Sequence, residues 1–226
     1  MRCARDNSDT AIRNRTKTMR TSHALLLALL AGAAAHAQAA TYTFDANDQG
    51  WTIFDGGTLT HVAAGGNTGG FLQVEDINDG DMLLVAPGAA LGNWSSLLNG
   101  TFSFDAKNLN GIDSSWPGFG QVVITSGATS VSFDMVAANN PPRDGQWHTY
   151  SVLLNTANFG AALPTVLANV TAFTFKVESH NGFGLNNSEL NGIDNVAFTS
   201  AVPEPASAVL LGLGLATVAW RRRRTS

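Results

Sequence analysis

The 226-residue chain has a single cysteine, Cys3, close to its N-terminus. A disulfide framework, a thiolate metal site and a cysteine nucleophile are therefore excluded for everything downstream. Charge is scarce as well: Asp, Glu, Lys and Arg make up 13% of the residues. Positive charge is nearly missing from the middle. Between Thr41 and Ser200 the basic residues are Lys107, Arg143 and Lys176, against fourteen acidic ones, a balance of −11. The whole-chain value of −4 conceals this, because the other ten Lys and Arg residues fall in the two ends. So acidic a segment repels phosphate backbones, which excludes nucleic acid as a partner, and it tolerates cations. Catalytic signatures are missing too. The histidines of the middle are His61, His148 and His180, with no His-Glu-x-x-His pair, and no Gly-x-Ser-x-Gly elbow occurs. No catalytic residue is assigned, and the chain is expected not to be an enzyme.

Long apolar runs are confined to the ends. Residues 1–18 are polar and basic; Met19 and Arg20 then precede an apolar core from Ala24 to Ala35 and the small-residue site Ala35-His36-Ala37. This is the pattern of a secretory signal peptide, cleaved before Gln38 or, alternatively, after Ala39. Met1 and Met19 both stay open as the start. At the other end Val202, Pro203, Glu204 and Pro205 precede a 15-residue apolar run, Ala206 to Trp220, and then Arg221, Arg222, Arg223 and Arg224. As a helix the run is about 22 Å long, against a hydrocarbon core of roughly 30 Å. Trp220 at the boundary and the snorkelling arginine stems extend it, so a short transmembrane helix is expected. The arginines place their flank in the cytoplasm and everything before Ala206 outside.

In this order, the Pro-Glu-Pro element, the apolar stretch and the arginine cluster resemble the sorting signal of PEP-CTERM proteins. The resemblance implies a Gram-negative bacterium, often one making exopolysaccharide. It also implies an exosortase in the inner membrane that reads the motif and removes the helix, leaving the chain at the cell surface or outside it. The expected division is an N-terminal extension and signal peptide at 1–37, one domain at 38–200 and a sorting signal at 201–226. Within that signal the motif is 202–205, the transmembrane helix 206–220 and the basic tail 221–226.

The middle reads as β throughout. Phe102-Ser103-Phe104, Val131-Ser132-Phe133 and Phe173-Thr174-Phe175-Lys176-Val177 alternate with period two, as half-buried strands do. Further strands are expected at Tyr42–Phe44, Thr52–Phe54, Thr58–Val62, Phe71–Val74, Met82–Val85, Gln121–Thr125, Thr149–Leu153 and Ile193–Phe198, and a helical turn at Pro164–Ala168. Turn signals such as Asp55-Gly56-Gly57 and Asn78-Asp79-Gly80 separate them. Many short strands at this spacing predict an all-β, antiparallel sandwich or barrel.

The order Phe44-Asp45, Gly50-Trp51, Gly69-Gly70-Phe71-Leu72, Asp76, Ala86-Pro87, Leu91-Gly92-Asn93, Phe102-Ser103-Phe104, Trp147, Tyr150-Ser151-Val152 and Gly192-Ile193-Asp194-Asn195-Val196 is similar to laminin B (laminin IV type A) domains. It also looks like the wider galactose-binding-like and carbohydrate-binding jelly rolls. The resemblance implies a jelly-roll β-sandwich whose first and last strands lie side by side. It further implies a structural calcium, with Asp45, Asp76 and Asp194 as ligands; their alternative roles are turn capping and backbone hydrogen bonding. A glycan site needs exposed aromatics. Trp116, Trp94 and Phe183, in Gly-, Asn- and Ser-rich stretches, are the candidates, whereas Trp51 and Trp147 are expected in the core. Asp79-Gly80-Asp81 is expected to be a solvated hairpin tip. The expected role is a binding or structural protein of the surface or exopolysaccharide matrix. The alternatives are a structural surface protein with no specific ligand and a polysaccharide-active hydrolase.

Overall fold

The computed structural model describes residues 40–184 and 187–201. The signal-peptide and Pro-Glu-Pro expectations lie outside the described residues. Eleven strands follow one another among the described residues: β1 (Ala40–Tyr42), β2 (Thr52–Asp55), β3 (Gly57–Val62), β4 (Phe71–Asp76), β5 (Met82–Val85), β6 (Thr101–Asn108), β7 (Gln121–Ser126), β8 (Thr129–Asp134), β9 (His148–Leu153), β10 (Ala172–Lys176) and β11 (Leu190–Thr199). They form two antiparallel sheets. The first has the order β3-β4-β11-β6-β9, with β1 beside the last part of β11; the second has the order β2-β5-β10-β7-β8. From β4 onward the strands divide as β4-β11-β6-β9 and β5-β10-β7-β8, the interleaved order of a jelly roll. As the resemblance implied, the first and last strands pair, with Ala40 opposite Phe198 and Tyr42 opposite Val196.

Side-chain alternation fixes which face is inside. Along β6, Phe102, Phe104 and Ala106 are fully buried, whereas Ser103 and Lys107 are only half-buried. Along β10, Phe173 and Phe175 are fully buried, with half-buried Thr174 between them. The two strands belong to different sheets, and their rings meet: Phe102 lies 4.9 Å from Phe173 and Phe104 lies 4.7 Å from Phe175, centroid to centroid. Trp51 stands edge-on to both Phe173 and Phe175. Burying a side chain of this kind contributes about 1.5–3 kcal/mol, so this aromatic seam is what joins the layers.

The strands found match those expected from alternation, with three informative differences. β1 ends at Tyr42 because Phe44 has a left-handed backbone (φ 52°), which turns the chain out of the sheet. β6 runs on to Asn108 and β11 begins at Leu190, because the Asn and Gly residues there pair with each other rather than forming a loop. Third, β11 contains an extra residue between Asp194, opposite Asp105, and Ala197, opposite Ser103. Asn195 adopts φ 49° in this bulge. Two short helices, α1 (Thr156–Phe159) and α2 (Leu163–Leu167), link β9 to β10. Asn155 caps the first by accepting from Asn158 N; Pro164 lies within the first turn of the second.

β1 and β11 are antiparallel, so the chain enters and leaves the sandwich at the same end. That end also carries the start of β6, the end of β9, the β7–β8 turn, both helices and the segment Gly88–Gly100. At the opposite end are the loops 109–119, 135–147 and 177–189.

Candidate functional site

Two places on the sandwich hold expected site residues among other chemistry-bearing side chains. The first lies over the outer face of the first sheet, beneath the glycine-rich loop 63–70. The β11 bulge sets Asp194 and Asn195 beside Asp105 of β6. Asp194 accepts from the backbone N–H groups of Asn67 (2.7 Å) and Asn195 (2.7 Å). Asp105 accepts from Asn67 Nδ2 (2.9 Å), Asn195 Nδ2 (2.8 Å) and Thr149 Oγ1 (2.6 Å). Asn195 Nδ2 also donates to the Asn67 carbonyl (2.8 Å). Loop glycines make the approach possible. A Cβ on Gly69, which has φ 68°, would sit 1.7 Å from Asp45 Oδ1, and one on Gly66 would sit 2.7 Å from Asp194 Oδ2. Burial pushes the Asp194 carboxyl up to about 6, and the charges of Asp105 and Asp45 push it the same way against its backbone donors.

The structure thus brings together two of the three expected calcium ligands, Asp45 and Asp194. Asp76 is not with them. Ile193 pairs with Leu72, so Asp194 faces the level of Phe71, five residues or about 17 Å along β4 from Asp76. Asp76 is buried at the other end of that strand, where desolvation raises its pKa and it accepts from Asn78 N. Among the described residues no three His, Cys, Asp or Glu side chains are grouped to hold a metal. The donor set here is two carboxylates beside backbone carbonyls, with Asp105 engaged by amides and a hydroxyl. All are hard oxygen donors, the chemistry calcium takes.

The second place is on the outer face of the second sheet. Register aligns Phe54, Leu83, Lys176, Gln121 and Asp134 across five strands. Lys176 is the centre of this row. Its Nζ donates to Asp81 Oδ1 (2.6 Å), lies 3.2 Å from Glu178 Oε2 and sits 5.7 Å from the Trp116 ring centroid. The ammonium and the Glu178 carboxylate are both largely desolvated. Burial pushes the Glu178 carboxyl up to about 7, while Lys176 pulls it down and Asp81 adds to the rise. Lys176 holds the Asp81 carboxyl below its ordinary value. Asp81 is therefore not a free hairpin-tip charge. Phe54, at 63% exposure, ends the row on the edge strand.

The aromatic candidates separate. Trp116 is half-buried over Lys176; its N–H donates to the Ser179 carbonyl, and its indole Nε1 is buried with no partner. Phe183 is exposed, at 42%, in the loop after His180. Trp94 is buried, at 3% exposure, which corrects its place among the exposed candidates. It plugs the sandwich between Phe173 and Phe198, and its Nε1 donates to the Ala90 carbonyl at 2.7 Å. The small residues around it let the segment fold in as a plug rather than stand out as a loop. Trp51 is core as expected, but Trp147 is not. It lies half-buried on the outer face of the first sheet, edge-on to Phe71, with Lys107 5.9 Å from its ring and its Nε1 donating to Gly65 O. Gly192 leaves room for it, since a Cβ there would come 2.8 Å from the indole.

Sequence reasoning missed Asn67, Asp105 and Asn195 in the first place and Lys176, Asp81 and Glu178 in the second. For Lys176 a signal existed: it is one of three basic residues in an acidic segment and sits in an alternating strand. The link from Asn67 to Asp105 and Asp194 depends on loop closure, which no local pattern carries.

Residues 201–224 match the PEP-CTERM protein-sorting motif. A sorting motif of this kind marks an exported protein with a terminal membrane segment. Among solved structures the chain is similar to the L4b domain of human laminin alpha-2, with 10% identity over 73% of this chain and 98% of that one and a TM-score of 0.49. It is also similar to a family 11 carbohydrate-binding module of a Clostridium thermocellum cellulosomal cellulase, with 15% identity over 74% and 98% and a TM-score of 0.46. A third is a xylan-binding domain from carbohydrate-binding module family 22, with 15% identity over 73% and 96% and a TM-score of 0.44. Both kinds of domain are those whose motif order the middle of the chain resembles. No curated protein matches the chain.

Proposed function

We propose that this is a non-catalytic binding module, exported by the signal peptide and delivered to the cell surface or matrix through exosortase processing of its tail. Its ligand is a glycan chain laid across the outer face of the second sheet. The observation that supports this most is the Lys176 centre: a desolvated ammonium and two carboxylates, with Trp116 over them and the exposed Phe54 on the same row. Sugar rings offer hydroxyls to such charged groups and C–H faces to aromatic rings. The exopolysaccharide of the producing cell is the natural candidate. The test is a glycan array followed by calorimetry. Binding that weakens at least tenfold in both Trp116→Ala and Lys176→Met supports the reading. Silence on the array by a folded protein, or binding that both variants retain, refutes it and leaves a structural surface protein.

We also propose calcium as a structural ion held by Asp45 and Asp194 with backbone carbonyls of the loop 63–70. Bound there, it neutralises the mutual repulsion of Asp45, Asp105 and Asp194. A site saturated a hundredfold stabilises by about 2.7 kcal/mol. The full chain should therefore melt several degrees higher in millimolar calcium than in chelator, and Asp194→Asn should abolish the difference. Identical melting curves in calcium and chelator contradict the proposal.

A further inference from the structure

Charge is not spread evenly over the sandwich. Residues 86–104, 120–133, 149–175 and 195–203 contain no Asp, Glu, Lys, Arg or His. The register places the greater part of these four stretches at one end, although Gly120 and Gln121 begin the second of them at the level of Lys176. Thr101 pairs with Leu153 and Thr199, and the β7–β8 turn lies beside Thr171, whose N–H donates to Thr125 O. Gly92 bridges Val170, and Trp94 N donates to Leu167 O. What this end shows to solvent is small or amide-bearing: Ala89, Asn93, Ser95, Ser96, Ala128 and Ala168, with Leu153 half-exposed. The flank loop carrying Asp45 and Asp48 brings Gly50 against Pro87 and marks the border of the uncharged region. The remaining charges lie from mid-strand, at Asp105 and Asp194, to the opposite end.

The same uncharged end is where the chain leaves. β11 stops at Thr199, and the apolar run of the tail starts seven residues later, at Ala206. Seven extended residues reach at most about 25 Å. While the tail is in the membrane, the sandwich is tethered by this end on that short leash. A domain carrying −11 would be pushed off an anionic leaflet, but repulsion falls away over about 8–10 Å in physiological salt. Apart from Asp48, which accepts from Gly50 N at the rim of this end, the nearest carboxylates are Asp105 and Asp194, four paired levels from Thr101 and Thr199, about 13 Å away and beyond that range.

We infer that the uncharged end of the sandwich is a membrane-apposed surface, laid against the lipid headgroups while the tail anchors the chain, so that the Lys176–Trp116 end points outward. The inference rests on the membrane-tail reading and not on the glycan reading. Inside the rim marked by Asp48, the surface carries neither the anionic groups that the headgroups would repel nor the cationic groups that would hold it there permanently, which suits a temporary anchor.

The test uses the full chain with Cys3→Ser, reconstituted through its tail into phosphatidylethanolamine–phosphatidylglycerol vesicles. Single cysteines at Ala128, Ser96, Ser115 or Gln146 carry a fluorophore, and the vesicles contain headgroup-spin-labelled lipid. Ala128→Cys and Ser96→Cys at the uncharged end should be quenched several-fold more than Ser115→Cys and Gln146→Cys at the charged end. Equal quenching at the two ends, or stronger quenching at Ser115 and Gln146, overturns the inference. A second arm separates apposition from tethering alone. Ala128→Glu with Ser96→Glu should lower quenching at Ala168→Cys in these vesicles and not in purely zwitterionic ones, with unfolding curves unchanged. Quenching that ignores the added glutamates overturns the surface. Efficient bismaleimide cross-linking of Ala128→Cys between chains overturns it in favour of a second copy.

Discussion

The two ends of this sandwich are built from different material. At the end where the chain enters and leaves, four stretches without a charged residue pack small side chains, two short helices and the Trp94 plug against the aromatic seam. At the other end, Asp81, Lys176 and Glu178 meet beneath Trp116, and Arg143 reaches Asp113 (3.7 Å). The core runs through both. The difference shows that the core aromatics, common to both ends, do not decide what each end can do. One end has spent its polar residues on hydroxyls and amides, which any neutral surface accepts. The other has kept ionic groups desolvated, a state that burial makes unfavourable and that a site for a polar ligand can use.

The contrast is sharpest for the two tryptophans that the sequence presents alike. Trp94→Ala should cost about 3–5 kcal/mol in denaturant unfolding, because it empties the plug between the sheets. Trp116→Ala should cost about 1 kcal/mol or less, since its ring lies over the sheet face, and should act on ligand binding instead. Equal losses of stability would break the distinction between a packed end and a binding end. A smaller effect concerns the loop between them. Gly69→Ala puts a methyl group against Asp45 at φ 68° and should cost about 1–3 kcal/mol. Gly127, also at positive φ in the β7–β8 turn but with open space around it, should tolerate Ala with a smaller loss of stability. A Gly127→Ala penalty as large as that of Gly69→Ala would show that backbone strain alone, and not the carboxylate beneath the loop, requires the glycine.

The charged end should also show a pH dependence. In the folded chain the Glu178 carboxyl titrates at about 7, above its ordinary 4.5. A raised carboxyl favours the fold when protonated. Its contribution is complete below about pH 4.5 and is lost as pH rises through about 7. Stability should therefore fall from about pH 5 to about pH 8, by an amount on the order of 1–2 kcal/mol from this group. Glu178→Gln should flatten that slope in urea titrations at a series of pH values, whereas a variant at the uncharged end, Ala128→Ser, should leave it intact. An unchanged slope in Glu178→Gln would remove the Lys176 centre from the account of the charged end.

Much of the fold was legible because alternation is local. Phe102-Ser103-Phe104 and Phe173-Thr174-Phe175 declare their buried faces without help from the rest of the chain, and each became a strand with the expected face inside. The pairing of the first and last strands followed from an ordered resemblance. The sites were less legible. Trp94 and Trp116 both sit among Ser, Asn and Gly, and only tertiary folding separates a plug from a lid over a sheet. The acidic cluster depends on one extra residue in β11 and on a loop that Gly66 and Gly69 let close, so Asp105 entered and Asp76 did not. The absence of charge from four separate stretches was readable, but its meaning was not, because only the register gathers them at one end.

Labelling on cells decides whether the two ends face different surroundings. Single cysteines at Ser96 and Ser115, in a Cys3→Ser chain whose tail is retained, are exposed to a membrane-impermeant maleimide on cells whose outer barrier has been opened. Ser115→Cys should react several-fold faster than Ser96→Cys, and the difference should vanish once the tail is cut off. Equal rates with the tail in place, or faster reaction at Ser96, would contradict it.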